Sequence, residues 1–539
     1  MYDIIFFADT PSAEWLSRGY GAYRLASDLR QMGFSVLTVD FTSSLNFENY
    51  KRIIDLSVGP NTLMVGFSTS WFPYRTLKNL NPRYSVGNKS IQISPDKDFL
   101  PDEHPWYFES LSHNFALEDH TPWIDYVKNK NPNTKITVGG CKSHEYVNEE
   151  KIDNIFLGFS ENMLRDYIWS ISGKGPKHEF KKVINYDIKA TMRRFDFVNT
   201  PTTYVDTDCW LPGEFATFEF ARGCIFNCTF CSYPHKGQQT KDFIKKPETI
   251  KAELEDNYYN HGIKHYMIVD DTFNDHIEKL RTIRDVIKEL DFQPKFWAYC
   301  RIDLFKSHPE MITLMKEIGI TEVYYGMEAW NDKTAKVIRK GGSKENKIES
   351  IKKAKEVWGD DVYITVGLVV GLPHDNEQDF LDAAEWFINE GRDYIDWFNL
   401  QSLGLNPPLD SNSYSFMSEI EKNPQKYGYS HPDLENAPLE WLRNDDGDIN
   451  SKKKADEVMV NFTQKTMPYN KKRKQMWWQS PFQLIDKRYE FEYLRNTDEE
   501  EWDELFTNFK HNDLYYEWVS RFYWPKFFET LEKKHNRQQ

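Results

Sequence analysis

The alternation of short apolar strands with helical segments constrains the fold of this chain more than any other feature. From residue 215 onward there are six strand-like runs, namely FATFEF (215–220), HYMIVD (265–270), KFWAYC (295–300), EVYYGM (322–327), YITVGLVV (363–370) and DWFNL (396–400). The segments between them carry apolar residues at helical spacing, such as Ile277, Leu280 and Ile283. Six strands that each pair with a helix predict a partial (β/α)6 barrel, two units short of the closed eight.

A similar alternation occupies the first third of the chain. Its strand-like runs are YDIIFFAD (2–9), SVLTVDF (35–41), TLMVGFSTS (62–70), KITVGG (135–140) and NIFLGF (154–159). Such runs, separated by helical segments, predict a parallel sheet with helices on both faces. Residues 72–120, which are rich in Pro, Asn, Ser and His, are predicted to be a long insertion into this sheet.

With 539 residues, the chain is too long for one hydrophobic core. We predict an α/β protein that begins with a doubly wound, Rossmann-like domain over residues 1–173. A connector at 174–213 and a barrel core at 214–408 follow. Residues 409–539, rich in Trp, Tyr, Phe and charge, are predicted to form a mainly helical C-terminal extension.

Charge and hydropathy exclude several classes of protein. A formal net charge of -15 disfavours a non-specific nucleic-acid binder, because phosphates would be repelled on average. The first residues, MYDIIFFADT, contain no basic region or cleavage site, and no window offers about 18 uninterrupted apolar residues. We therefore expect a cytoplasmic protein without a membrane anchor. In that compartment the six cysteines should be reduced, so clustered ones indicate a metal or redox role.

Half of these cysteines lie in one loop, ARGCIFNCTFCSYPH (221–235), as Cys224, Cys228 and Cys231. A structural zinc site needs four ligands, and His235 is the available fourth. Three thiolates alone suit a [4Fe–4S] cluster, because they leave one iron open to a small molecule. We favour the cluster and keep zinc as the alternative.

The loop directly follows the first barrel strand, at the end of the barrel where α/β barrels gather their catalytic groups. Other strands end in polar or turn-forming residues at the same level, namely Asp270, Asp271 and Thr272, then Arg301, Glu328, the GLP segment at 371–373, and Gln401 with Ser402. Any one of these residues alone would be an ordinary surface or capping residue. Their joint position at strand ends predicts a functional site.

The segment GCIFNCTFC, with an aromatic residue before its last cysteine, resembles the signature of the radical S-adenosylmethionine (SAM) superfamily. MIVDDTFN, YGMEAWND and GLVVGLPHDNEQDF are similar to the second, fourth and fifth strand segments of that superfamily. The resemblance covers roughly residues 213–405. It implies an enzyme in which Cys224, Cys228 and Cys231 hold a [4Fe–4S] cluster and SAM chelates the open iron through its amino and carboxylate groups.

The resemblance also implies contacts to the polar groups of SAM. Asp270 and Asp271 would stand near the amino group, and Arg301 would pair with the carboxylate. Glu328 would meet the ribose or the methionine end. These pairings match charge with opposite charge.

Three further roles are implied for the surroundings of the cluster. The backbone around Tyr233 and Leu372 would line the adenine, and Phe230 would pack beside the cluster. An electron donor such as a flavodoxin or ferredoxin would reduce the cluster, so that SAM is cleaved to a radical that attacks a small-molecule or macromolecular substrate.

The N-terminal segments ITVGGCKSHEY and NIFLGFSENML resemble the later part of a cobalamin-binding domain. That family supplies a histidine to cobalt from a D-x-H-x-x-G loop, whereas the equivalent VDFTSSLNF here contains none. We therefore favour a scaffold or substrate-recognition role for this domain. A cobalamin-dependent methyltransferase is the alternative function, and a non-catalytic iron–sulfur or zinc protein is the second alternative.

The other three cysteines, Cys141, Cys209 and Cys300, are predicted to be buried structural thiols. Among them, Cys300 ends the third barrel strand and is expected to face the mouth of the barrel.

Overall fold

A computed structural model describes most of the chain. The described residues are 1–8, 18–42, 45–68, 121–140, 143–147, 149–186, 195–211, 214–233, 236–237, 240–405, 417–433, 439–470 and 523–538. The predicted insertion at 72–120, Cys141, His235 and most of the region after residue 470 lie outside these ranges. The chain divides into two compact units, one of residues 1–217, 252–265 and 475–539, and one of residues 218–251 and 266–474.

The first unit is built on a six-stranded sheet of order β2-β1-β3-β4-β5-β6, in which each neighbouring pair of strands is parallel. Its strands are β1 (Ile4–Phe7), β2 (Val36–Val39), β3 (Met64–Ser68), β4 (Lys135–Gly139), β5 (Asn154–Leu157) and β6 (Val183–Asn185). The helices around it are α1 (Tyr20–Gln31), α2 (Phe47–Ser57), α3 (Thr121–Lys130) and α4 (Glu161–Ile171).

Alternation along the strands explains why helices cover both faces of this sheet. Ile5 and Phe7 of β1 join one buried cluster, whereas Ile4 and Phe6 join another on the opposite face. Because both faces are apolar, each must be covered, which is typical of a doubly wound parallel sheet.

The second sheet has the order β12-β11-β10-β9-β8-β7, which is the order of the strands along the chain. Its strands are β7 (Phe215–Phe218), β8 (His265–Ile268), β9 (Lys295–Cys300), β10 (Ile320–Glu328), β11 (Tyr363–Val370) and β12 (Trp397–Ser402). The helices that follow these strands are α5 (Pro247–His261), α6 (Ile277–Lys288), α7 (Leu304–Ser307), α8 (Glu310–Ile318), α9 (Asp332–Val337), α10 (Lys344–Trp358) and α11 (Glu377–Asn389). Sequential parallel strands of this kind form the predicted partial barrel.

The described C-terminal elements are distributed over both units. The short helix α12 (Glu419–Lys422), the strands β13 (Tyr429–Ser430) and β14 (Leu442–Arg443), and the helix α13 (Lys452–Thr466) belong to the barrel unit. The last helix, α14 (Trp524–Gln538), belongs to the first unit, where Trp524, Phe527 and Phe528 enter the core. The described parts of the predicted extension are therefore mainly helical, and they belong to two different units.

The predicted fold class is confirmed: two parallel α/β sheets with a partly helical C-terminal region. The structure adds a sixth strand, β6, within the stretch read from sequence as a connector. That strand has only three residues, too few to show a period of two. In the part of the chain that the structure describes, no helix is long and apolar enough to cross a membrane.

Candidate functional site

Strand alternation decides which side chains enter the barrel. On β10, Val323 and Tyr325 are fully buried, and the ring of Tyr325 lies 5.7 Å from Phe305 and 6.4 Å from Trp358, which belong to the helices outside the sheet. Tyr324, Gly326 and Glu328 are partly exposed and share the opposite face. This opposite face is the interior of the barrel.

The cysteine loop is held by backbone hydrogen bonds on several sides. Thr229 N–H donates to the carbonyl of Ile338 at 3.1 Å, and its own carbonyl accepts from Ile420 at 3.1 Å. Within the loop, Gly237 N–H donates to Phe226 at 2.8 Å, and Cys231 N–H donates to Cys228 at 3.3 Å. The backbone positions of the three cysteines are therefore set by the protein itself.

Each cysteine sulfur lies within reach of a polar group. Cys224 Sγ is 3.4 Å from the hydroxyl of Thr272, and Cys228 Sγ accepts from Arg301 Nη1 at 3.4 Å. Cys231 Sγ accepts from the backbone N–H of Tyr233 at 3.4 Å. Donors aimed at sulfur stabilise thiolates, which are the form that ligates iron.

Burial acts against ionisation of the free thiols. It raises the pKa of Cys224 above its ordinary value, and it raises the pKa of Cys231 to about 11. Without a metal these two thiols keep their protons at neutral pH, so loading of the site must displace protons.

The three cysteine sulfurs do not all lie within 4.8 Å of one another. In the described part of the chain, the one set of three possible ligand atoms within that distance belongs to His374, Asp445 and Asp446. A tetrahedral zinc site places its sulfurs about 3.8 Å apart. His235, the fourth ligand of the zinc alternative, lies outside the described residues.

Asp270 and Asp271 face opposite sides of the sheet, as consecutive residues at a strand end do. Asp270 is buried, and its carboxylate accepts from Phe220 N–H at 2.7 Å, Ala221 N–H at 3.1 Å and Lys279 Nζ at 3.2 Å. These contacts fasten the start of the cysteine loop to helix α6, and they occupy the carboxylate that the sequence placed near SAM.

Asp271 instead lies on the interior side and is partly exposed. Its carboxylate accepts from Gly223 N–H at 3.1 Å, next to the first cysteine. Burial raises its pKa to about 7, helped by the nearby carboxylates of Glu219 and Asp270. A cation placed beside Asp271 would relieve this repulsion.

Arg301 makes several contacts beside the cysteine loop. Its guanidinium makes a two-point ion pair with Asp303, at 3.0 and 2.8 Å, and lies 3.7 Å from the ring centre of Phe226. The third nitrogen reaches Cys228. In this structure Arg301 therefore contacts the cysteine loop itself, and its pairing with the SAM carboxylate stays a prediction.

Glu328 ends β10 in a left-handed conformation, with φ of 67°. Its carboxylate turns inward over Gly326, where a Cβ would lie 2.0 Å from Oε1, and it pairs with Lys340 at 3.2 Å. Lys347 is buried nearby; burial and the charge of Lys340 lower its pKa to about 8. Two lysines, Lys340 and Lys347, thus lie near the carboxylate of Glu328.

The residues predicted to line the adenine and the cluster differ in exposure. Phe230 is half-buried in the cysteine loop, and Tyr233 is 55% exposed. Leu372 is fully buried, its N–H donates to Asp375 at 2.9 Å, and its carbonyl accepts from Arg443. The hydrogen-bonding groups of Leu372 therefore hold the GLP loop itself.

Several residues near the cysteines were missed by sequence reasoning. Asp303, Lys340 and Phe226 contact Arg301 or Glu328, and Thr272 was noted only as a strand-end residue. The alternation of side chains along β10 could have predicted which of its residues face the interior of the barrel. The expectation that Cys300 faces the mouth is wrong, because Cys300 pairs in register with Tyr325 on the helix-covered face.

The carboxyl edge of the first sheet has a different chemistry. Asp40 and Phe41 follow β2, and the guanidinium of buried Arg18 lies 4.2 Å from the Trp210 ring and 5.1 Å from both Phe41 and Tyr523. Arg18 also pairs with Glu214 at 2.6 Å. The segment between β2 and α2, residues 40–46, contains no histidine in the sequence, so it offers no imidazole to a cobalt ion.

Comparison with known proteins agrees with the site. Residues 218–387 match the family model described as "Radical SAM superfamily", and this range contains all three cysteines. Residues 218–387 therefore form a radical SAM domain. Members of this superfamily use a [4Fe–4S] cluster and SAM, so the predicted family, the enzyme class and these two cofactors are confirmed.

Two relatives are similar to this chain over about half of its length. A putative methylthiotransferase of Methanocaldococcus jannaschii is 26% identical over 294 residues, which cover 50% of this chain and 62% of the relative. A tRNA-2-methylthio-N(6)-dimethylallyladenosine synthase of Natranaerobius thermophilus is 24% identical, over 49% of this chain and 57% of the relative. The chain thus spans less than two thirds of the length of these relatives.

Two solved structures share the fold over most of this chain. The methyltransferase TsrM from Kitasatospora setae, with tryptophan substrate and a SAM analogue bound, gives a TM-score of 0.54 at 16% identity, covering 79% of this chain and 77% of TsrM. The cobalamin-dependent enzyme OxsB gives a TM-score of 0.51 at 14% identity, covering 87% of this chain and 62% of OxsB. At such identities the likeness shows the fold alone.

Proposed function

We propose that this chain uses a [4Fe–4S] cluster on Cys224, Cys228 and Cys231 to cleave SAM reductively and to start radical chemistry on a second substrate. The observation that carries the proposal is a loop of three cysteines, each with a polar group near its sulfur, directly after the first strand of a barrel that matches the superfamily model. When bound, the cluster supplies one electron to the sulfonium of SAM, which splits into methionine and a 5′-deoxyadenosyl radical.

The residues of the chain position and shield these groups. Asp271 is the carboxylate available to the ammonium of SAM, since Asp270 is already engaged by Lys279. Arg301 steadies the loop through Cys228 and Phe226 and presents its positive charge to the SAM carboxylate. Glu328 is the acceptor for the ribose hydroxyls.

The surroundings of the nucleoside are assigned in the same way. Tyr233, exposed on the loop, lines the adenine, and Phe230 covers the cluster. Leu372 supports the GLP loop from within the core. A small acidic redox protein, such as a flavodoxin or ferredoxin, supplies the electron. We place the reaction in the cytoplasm.

The test is an anaerobic assay with reconstituted protein, dithionite and SAM, in which 5′-deoxyadenosine is measured by chromatography. We expect its formation by the wild type and its absence in Cys228→Ala. A wild-type protein that holds the cluster but forms neither methionine nor 5′-deoxyadenosine would contradict the proposal.

Cobalamin-dependent methyl transfer is the second candidate. It is favoured by the first unit, whose strand order 2-1-3-4-5 is that of doubly wound nucleotide-binding sheets, and by the fold shared with TsrM and OxsB. Against cobalt ligation stands the loop after β2, which offers no imidazole. We expect the protein to purify without cobalamin and to form 5′-deoxyadenosine without it. Stoichiometric binding of added cobalamin, together with a requirement for it in turnover, would make this candidate the leading one.

A further inference from the structure

The interior of the barrel contains a layer of polar and aromatic side chains that the proposed SAM site does not use. Tyr299, Tyr324 and Thr365 lie side by side on three neighbouring strands, because the registers of β9, β10 and β11 pair them. They stand on the face opposite Tyr325, which packs against the outer helices. These three residues, with Asn399 of β12, are called here the interior layer.

Aromatic rings form one wall of this space. The rings of Trp297 and Tyr299 meet edge-to-face at 4.5 Å, and those of Tyr299 and Tyr324 at 5.3 Å. Rings in this arrangement leave aromatic faces and edges open to a further ring, which is the geometry that aromatic clusters favour.

A glycine on the next strand makes room for a hydroxyl group in the same space. A Cβ on Gly367 would lie 2.0 Å from the hydroxyl oxygen of Tyr324. Because Gly367 lacks a side chain, the Tyr324 hydroxyl crosses β11 and reaches the side chain of Asn399, which pairs in register with Gly367. A residue larger than glycine would push this hydroxyl away.

Thr365 adds a polar atom that the described residues leave unused. Its side chain is 5% exposed, and its hydroxyl has no hydrogen-bond partner in the described part of the chain. Leaving a buried hydroxyl unpaired costs about 1–3 kcal/mol, so this atom indicates a hydrogen-bonding group that arrives from elsewhere. Glu322, which is 2% exposed and pairs in register with Trp297, and Glu328 add carboxylate acceptors to the same face of β10.

We propose that the barrel interior receives a planar ring with a hydrogen-bond donor on its edge, and that Thr365, Tyr324 and Gly367 determine this preference. The inference rests on the proposed function, since it names the class of the second substrate: a small conjugated molecule, held on the aromatic wall with its N–H or O–H directed at the hydroxyl groups. A polynucleotide is disfavoured by the net charge of -15.

The experiment uses the reconstituted enzyme with SAM and no reductant, so that binding is measured apart from SAM cleavage. The probes are indole, 1-methylindole, which lacks the N–H, and cyclohexanol, which is not planar. Affinities are measured by titration calorimetry. We expect indole to bind at least tenfold more tightly than cyclohexanol and several-fold more tightly than 1-methylindole.

Two variants locate this binding in the interior layer. Gly367→Ala should weaken indole binding at least tenfold, because its methyl group displaces the Tyr324 hydroxyl. Thr365→Val, which keeps the shape of the side chain, should weaken it about two- to tenfold through the lost hydrogen bond. Gly404→Ala is the matched control, since a Cβ there would meet nothing within 4 Å, and it should bind indole as the wild type does.

The iron content of each variant reports whether it folds, and Thr365→Val keeps the test decisive if Gly367→Ala does not. The inference is overturned if wild-type protein fails to bind indole at millimolar concentration, if cyclohexanol binds equally well, or if Thr365→Val retains wild-type affinity. Failure of the proposed function looks different, because it is the absence of 5′-deoxyadenosine from the wild type under reducing conditions.

Discussion

The two parallel sheets of this chain have six strands each but use their carboxyl edges in opposite ways. In the first unit, the described edge beside β2 is filled by Arg18, Phe41, Trp210 and Tyr523, all buried. In the barrel unit, the same kind of edge presents Asp271 and a cysteine loop that are partly exposed. A parallel sheet offers a site at this edge, and side-chain size and pairing decide whether the site stays open.

The largest expected difference between the two units is the effect of a cysteine substitution on iron content. Replacing Cys224, Cys228 or Cys231 by Ala should abolish the cluster, because a three-ligand site has no spare thiolate. Cys209→Ala, in the first unit, should leave iron content near that of the wild type. Iron and sulfide analysis after anaerobic reconstitution checks this, and normal iron content in Cys228→Ala would show that the ligands are misassigned.

The next contrast is the stability of the closed edge. Arg18→Met leaves the buried carboxylate of Glu214 without its ion pair, so the free energy of unfolding should fall by about 3–5 kcal/mol. Lys151→Met removes an ion pair to Asp125 in the same unit whose side chains are both 47% exposed, and it should change stability by about 0–1 kcal/mol. Urea unfolding measures both, and equal effects would mean that the Arg18 cluster does not stabilise the edge.

On the barrel side, Lys347 should make stability depend on alkaline pH. Its pKa is about 8 in the folded chain and near 10.5 in the unfolded chain, so between these values the unfolded state binds more protons. Stability therefore rises with pH across this window, and the neutral-pH penalty amounts to at most about 3 kcal/mol. Lys347→Met should remove the penalty.

The measurement is the difference in unfolding free energy between Lys347→Met and the wild type at pH 7 and pH 10. The variant should be more stable at pH 7, and the gap should narrow to about 1 kcal/mol by pH 10, because the unfolded lysine still binds protons there. Lys353→Met, on the exposed face of the same helix, serves as the control and should show no such trend. A gap that stays constant with pH would contradict a depressed pKa.

The smallest expected effects are those of substitutions at two neighbouring carboxylates, on SAM affinity and on the free energy of unfolding. Asp271→Asn should weaken SAM binding by about tenfold, the cost of one charge-assisted partner, and should leave the unfolding free energy nearly unchanged. Asp270→Asn should do the reverse, because its carboxylate binds Lys279 and the loop backbone. SAM affinity by equilibrium dialysis that falls equally in both variants would show that strand alternation does not divide their roles.

Sequence reasoning predicted both sheets, because apolar runs of four to eight residues separated by amphipathic helices leave few other folds. It also singled out the three cysteines from their spacing, and their role as cluster ligands stays a prediction. It did not predict that Cys300 faces the helices or that Asp270 is engaged by Lys279. Both depend on strand parity, which a boundary shift of one residue reverses.

Long-range pairings were also beyond the sequence. The last helix completes a core whose members outside residues 523–531 lie more than 300 residues earlier, and no local period in the sequence predicts that contact. The ion pair between Arg18 and Glu214 joins residues separated by 196 positions. Apolar or charged composition alone predicts burial or exposure, and the partner follows only from the assembled fold.

The central claim is that the barrel edge holds a [4Fe–4S] cluster with one iron left for SAM. Electron paramagnetic resonance of the dithionite-reduced protein, recorded with and without SAM, tests it most directly. The account predicts about four irons per chain and a reduced-cluster signal whose shape changes when SAM is added. Bound zinc in place of iron, or a cluster signal that SAM leaves unchanged, would contradict it.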